Sequence, residues 1–110
     1  MITKLQEKIV IEIANGFDSR WDSICVNIEI DDIDDEVVQS EMSFVFYDGI
    51  KEEFDLENEV YDLFEELRNQ MYHSSSDGKL WTICDLRISE NGEYKFLFSY
   101  DAPPRLSSLK

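Results

Sequence analysis

The sequence predicts an α+β fold: a two-layer sandwich in α-β-β-α-β-β order, with a four-stranded antiparallel sheet and helices on one face. Three observations predict it. Two stretches repeat their apolar residues every three or four positions, as one face of a helix does. Four stretches repeat them every second position, as a half-buried strand does. Within 110 residues, 43% are apolar, including seven Phe, five Tyr and two Trp. That is enough for one packed domain over residues 1–110, and too apolar for a disordered acidic tail.

Residues 2–15 set Ile2, Leu5, Ile9 and Ile13 on one helical face, with Thr3 as a cap and Asn15-Gly16 as a stop. From 21 to 30 the period becomes two: Ile24, Val26, Ile28 and Ile30 alternate with Ser23, Cys25, Asn27 and Glu29. The acidic run 31–36 interrupts this strand and reads as a turn. A second strand, 38–47, sets Met42, Phe44 and Phe46 against Glu41, Ser43, Val45 and Tyr47, and Asp48-Gly49 ends it. The two strands form an antiparallel hairpin.

Residues 56–73 are the clearest helix, with Val60, Leu63, Phe64, Leu67 and Met71 inward. Asp55 caps it, acids Glu57 and Glu59 suit its first turn, and Asp62, Glu65, Glu66 and Arg68 lie outward. After the loop 73–78 comes a second hairpin, 80–89 with 93–101, around Glu90-Asn91-Gly92. A three-residue loop with Gly92 left-handed puts Cys84, Leu86 and Ile88 on the face of Tyr94, Phe96, Phe98 and Tyr100. A two-residue loop would mix Arg87 with Phe96. Burial sets register, so the first is expected. Pro103 and Pro104 exclude a continued strand, which leaves 102–110 as an extended tail whose Leu106 and Leu109 can pack back.

Charge narrows the function classes. The chain carries 25 acids against 10 bases, a net charge of −15. A field of that sign repels phosphate backbones and anionic membrane surfaces, and it steers in a basic protein. Six of the eight residues from Glu29 to Glu36 are acids: Glu29, Asp31, Asp32, Asp34, Asp35 and Glu36. Cys25 and Cys84 sit far apart inside strand patterns, as free thiols of a reducing compartment do. The chain opens on no signal-peptide pattern and holds no apolar stretch of membrane-spanning length, so a cytoplasmic location is expected.

No chemistry announces itself. The single histidine, His73, ends the second helix and has no nucleophile pattern around it. The run Asp31-Asp-Ile-Asp-Asp-Glu36 has the composition of a calcium loop but lacks its central glycine and closing glutamate. The four glycines are scattered, so no phosphate-cradling loop exists. The expectation is a binding protein, not an enzyme, without metal or cofactor.

With helices over one face, the other face of the sheet would present Trp21, Cys25, Asn27, Glu29, Val45, Tyr47, Trp81, Ile83, Asp85, Arg87 and Leu97. Two tryptophans and a tyrosine among acids suit a protein-binding patch. Cover by the tail, or dimerisation, would also account for them.

At the second hairpin, Trp81-Thr-Ile-Cys-Asp-Leu-Arg-Ile88, Asn91-Gly92 and Tyr94-Lys-Phe-Leu-Phe-Ser-Tyr-Asp101 resemble the YezG-like immunity proteins of bacterial polymorphic toxin systems. The resemblance spans mostly residues 80–106. It implies an antitoxin of contact-dependent or secreted interbacterial competition that binds and neutralises a cognate toxin domain, often a nuclease. Nucleases that grip phosphates are basic around their sites. The acids at 29–36, with Glu59, Asp62 and Glu66 of the second helix, would then steer the partner, and Trp21, Tyr47 and Trp81 would supply buried contact. The alternative is an acidic DNA mimic or regulatory adaptor that binds a nucleic-acid-binding protein.

Overall fold

The computed structural model describes residues 2–17 and 20–108. Helix α1 (Ile2–Ala14) buries Leu5, Ile9, Val10 and Ile13, the face its spacing predicts. Thr3 lies inside its first turn and does not cap it. The helix stops at Asn15-Gly16, where the Gly16 amide bonds to the Ile13 carbonyl at 3.1 Å.

Strands β1 (Ser23–Ile33) and β2 (Glu36–Tyr47) pair antiparallel along their whole length, from Ser23 opposite Phe46 to Ile33 opposite Glu36. The acidic run therefore does not interrupt the strand. Only Asp34 and Asp35 turn, with φ of 52° and 65°. Left-handed φ at both central residues lets a two-residue loop follow the twist of the strands, and aspartate tolerates it better than most residues. Continuing the ladder outweighs the low strand propensity of the flanking acids.

That turn also corrects the faces. It pairs each even-numbered residue of β1 with an odd-numbered residue of β2, so Ile24 meets Val45 and Val26 meets Ser43. Val45 is buried and Tyr47 packs against the core, while Met42, Phe44 and Phe46 share the opposite face with Asn27, Cys25 and Ser23. Alternation within a strand cannot tell which of its two faces is inward; only the loop length can.

A fifth strand, β3 (Ile50–Phe54), follows a second two-residue turn at Asp48-Gly49, where φ is 49° and 80°. The sheet therefore has five strands in the order β3-β2-β1-β4-β5, not four. Glu52 breaks the apolar alternation of β3, and its charges suit an exposed edge.

Helix α2 (Asn58–Ser74) buries Val60, Leu63, Phe64 and Leu67 as expected. Its N-cap is Glu57 with no side-chain cap, so Asp55 does not play that part. Arg68, expected outward, is 3% exposed. The second hairpin, β4 (Ile83–Ser89) with β5 (Tyr94–Ser99), has the register that burial demands: Ile88 opposite Tyr94, Leu86 opposite Phe96, Cys84 opposite Phe98. Gly92 takes φ of 89° in the loop between them.

Helices α1 and α2 cover one sheet face, and their buried residues join Ile24, Ile28, Val45, Leu86 and Ile88 in one cluster. The last helix is a correction to helices on a single face. Within the segment expected to be extended, Pro104–Ser107 forms α3, which packs on β1 and β2 and reaches Glu29 on the other face. Leu106 is buried there. Leu109 falls outside the described residues. The full order is thus α-β-β-β-α-β-β-α.

Candidate protein-binding surfaces

The twelve residues singled out in the sequence separate into three groups. Trp21, Tyr47 and Trp81 are not anchors on the open face. All three belong to the helix-side core: Trp21 and Tyr47 pack against it, and Trp81 is 1% exposed within it. The Trp81 ring lies 5.4 Å from that of Phe98, and its carbonyl accepts a 2.6 Å bond from Arg68 Nε. Trp81 precedes β4, so strand alternation did not govern where it points.

Glu29 does sit on the open face, yet it is 2% exposed and engaged within the chain. Its Oε1 accepts the backbone amides of Arg105 at 2.9 Å and Leu106 at 3.0 Å, and its Oε2 lies 3.2 Å from Arg105 Nη1. The carboxylate thus receives the free amides of α3, where the helix dipole favours an anion. Arg105 also bonds Ser40 Oγ and the carbonyls of Ser40 and Asn27. Glu29 thus holds the C-terminal segment.

The other acids form an exposed surface. Strand β4 stops pairing with β1 at Glu29 opposite Ile83, and the Ile30 amide bonds to Thr82 just beyond. Past that point the β1–β2 hairpin continues as a two-stranded arm. Asp32, Asp34, Asp35 and Glu36 are exposed on it, and Asp31 is half-buried. On α2, Glu59, Asp62 and Glu66 are exposed at a spacing that makes one outward stripe. Arg68 joins the two. Burial pulls its guanidinium below the usual arginine range, and the carboxylates of Asp32, Asp31 and Glu65 act against that. The base of the arm therefore lies beside α2; within the arm Asp32 shares the helix-bearing face of the sheet, Asp31 and Glu36 share the open face, and Asp34 and Asp35 form the tip.

The open face has a different character. Met42 and Leu97 are 42% and 54% exposed at the two ends of a row that runs through Asn27 and Asp85, with half-buried Phe44 and Ile83 in the flanking rows. Arg87 and Lys95 stand directly opposite each other on β4 and β5. Lys51 Nζ lies 3.9 Å from the centroid of the Phe44 ring. Asp85 accepts a 2.7 Å bond from Asn27 Nδ2. Pro104 and Arg105 wall one end, which makes the face concave. Cys25, Asn27, Ile83, Asp85, Arg87 and Leu97 were expected here. Met42, Phe44, Lys51 and Lys95 were not, although the hairpin register already places Lys95 beside Leu97.

Among the described residues, no three or more His, Cys, Asp or Glu side chains are grouped to hold a metal ion. His73 is exposed in the last turn of α2, with its ring 5.4 Å from Tyr72. No helix among them is long and apolar enough to cross a membrane.

The chain is similar to the type VII secretion system protein EsaG of Staphylococcus aureus (strain NCTC 8325 / PS 47). The two are 29% identical over 112 residues, which take in 90% of this chain and 68% of EsaG. No family model matches the chain.

Proposed function

We propose that this protein is an immunity protein, an antitoxin of interbacterial competition that binds a cognate toxin domain in the cytoplasm and neutralises it without enzymatic chemistry. The partner is a basic domain of nuclease type. The observation that carries this is the acidic arm set beside the acidic stripe of α2, on a folded domain of net charge −15. Such a surface draws in a basic phosphate-binding site and covers it. The similarity to a secretion-system protein over nine tenths of the chain supports this assignment, as does the likeness of the C-terminal hairpin to the YezG-like proteins.

The rival is a DNA mimic or regulatory adaptor. It calls for acids spaced over an extended surface, and the open face instead interleaves Lys51, Arg87 and Lys95 with Glu53 and Asp85. The deciding experiment is co-expression with the toxin domain encoded immediately upstream. Survival of the cells, with a salt-sensitive complex that co-purifies, is the expected result. Cell death without a complex would sink the immunity assignment and leave the mimic in front.

A further inference from the structure

We propose that the open sheet face is a second docking surface, which takes a carboxylate-bearing, partly apolar segment of the same partner that meets the acidic arm. This rests on the partner being the toxin domain proposed above. The open face holds Lys51, Arg87, Lys95 and Arg105, four of the ten bases in a chain that has 25 acids, against the exposed acids Glu53 and Asp85, the latter bonded to Asn27. Two ion pairs occur among the described residues, Arg20 with Glu90 and Arg105 with Glu29. Arg87, Lys95 and Lys51 take part in neither.

Arg87 directly opposite Lys95 is a cost to the hairpin, because like charges across a strand pair repel. The free protein gains nothing from that arrangement. A ligand with two carboxylates does, since it meets both cations at once and a guanidinium can bind one of them through two bonds. Exposed Met42 and Leu97 offer apolar contact between the charged groups.

The chemistry of the occupant follows from the rest of the surface. A nucleic acid is repelled by the net charge of −15. A second copy brings the same net charge and so the same repulsion. A basic domain with carboxylates exposed at its binding site suits both surfaces. Its bases meet the arm and α2, and its acids meet the open face.

The test compares the wild-type protein, Arg87→Glu, and Arg87→Glu with Lys95→Glu. Each is measured for thermal unfolding alone and for affinity to the toxin domain by calorimetry. Arg87→Glu places opposite charges across the hairpin, so the free protein should melt higher while the complex weakens at least tenfold. The double variant restores like-charge opposition, so it should melt near the wild type and bind more weakly still. A wild-type complex whose affinity neither variant changes would overturn the inference and leave the immunity assignment standing. Absence of a wild-type complex would remove both. Two further outcomes would also overturn it: a wild-type dimer in sedimentation that Arg87→Glu dissociates, or binding of a duplex DNA oligonucleotide that Arg87→Glu abolishes.

Discussion

Glu29 ties together residues 76 and 77 positions apart in the chain, through two backbone amides and one guanidinium. Breaking a buried pair leaves an uncompensated charge, and that costs more than the pair itself contributes. Arg105→Ala should therefore destabilise the protein by about 3 kcal/mol, read by urea denaturation. Arg105→Lys should recover part of that, since an ammonium reaches Glu29 but not Ser40 and Asn27 together. Alkaline pH tests two further residues. Burial, with a smaller contribution from Asp85, pushes the Cys84 thiol up from 9.0. Burial first, then a hydrogen bond to Glu41 and the charges of Glu41 and Asp55, push Tyr61 up from 10.0 to about 12. Both folded values lie above the unfolded ones. Their stabilisation is thus complete below the unfolded values and is lost as pH climbs through the folded ones. Stability should be level near neutrality and fall from about pH 9 upward. Tyr61→Phe should flatten the part of that fall between about pH 10 and 12, and an unchanged slope would refute the assignment. Strand alternation placed Glu29 on the correct face but could not show what covers it. The same limit applies to Arg68, whose partner is a carbonyl 13 residues away.

The four long strands and both long helices follow from periodicity, and the β4–β5 register follows from burial and Gly92. The β1–β2 turn is where the elements departed from expectation. Asp34 and Asp35 both hold left-handed φ, which costs most non-glycine residues about 1–2 kcal/mol each. Asp35→Gly should relieve part of this and stabilise the protein by about 0.5 kcal/mol, after the greater freedom of glycine in the unfolded chain is counted. Calorimetric melting checks the sign, and a lower melting temperature would mean that Asp35 contributes contacts beyond the turn. Strand β3 shows the reverse case. Asp48-Gly49 reads in the sequence only as a strand end, because the strand after it lacks a full apolar face on an edge that meets solvent.

For the whole molecule the relevant quantity is the distribution of charge. Exposed acids line α2 and the arm, while the open face sets Lys51, Arg87 and Lys95, with Glu53 and Asp85 among them, around exposed Met42 and Leu97. Long-range attraction governs how fast a basic partner arrives, and short-range contact governs how long it stays. Asp34→Asn with Asp35→Gly and Glu36→Lys keeps a good turn while it removes the acids of the tip. This variant should associate with the toxin domain about tenfold more slowly at low salt, with a weaker salt dependence and little change in dissociation rate. Stopped-flow or surface-based kinetics would show it, and an unchanged association rate would take the arm out of the encounter.

Composition and local periodicity settled what depends on neighbours along the chain: a packed α+β fold, the inward faces of α1, α2 and β1, the second hairpin, and a net charge of −15. Three matters depended on contacts across the chain. The inward face of β2 hung on a turn two residues long, which a run of six acids in eight residues conceals. Trp21, Tyr47 and Trp81 went to the core and left Met42, Leu97 and a cation pair on the open face, because loop residues and strand faces are placed by packing. Glu29 lost its solvent to α3, because a carboxylate on β1 and the amides of a distant helix satisfy one another only when the fold brings them together.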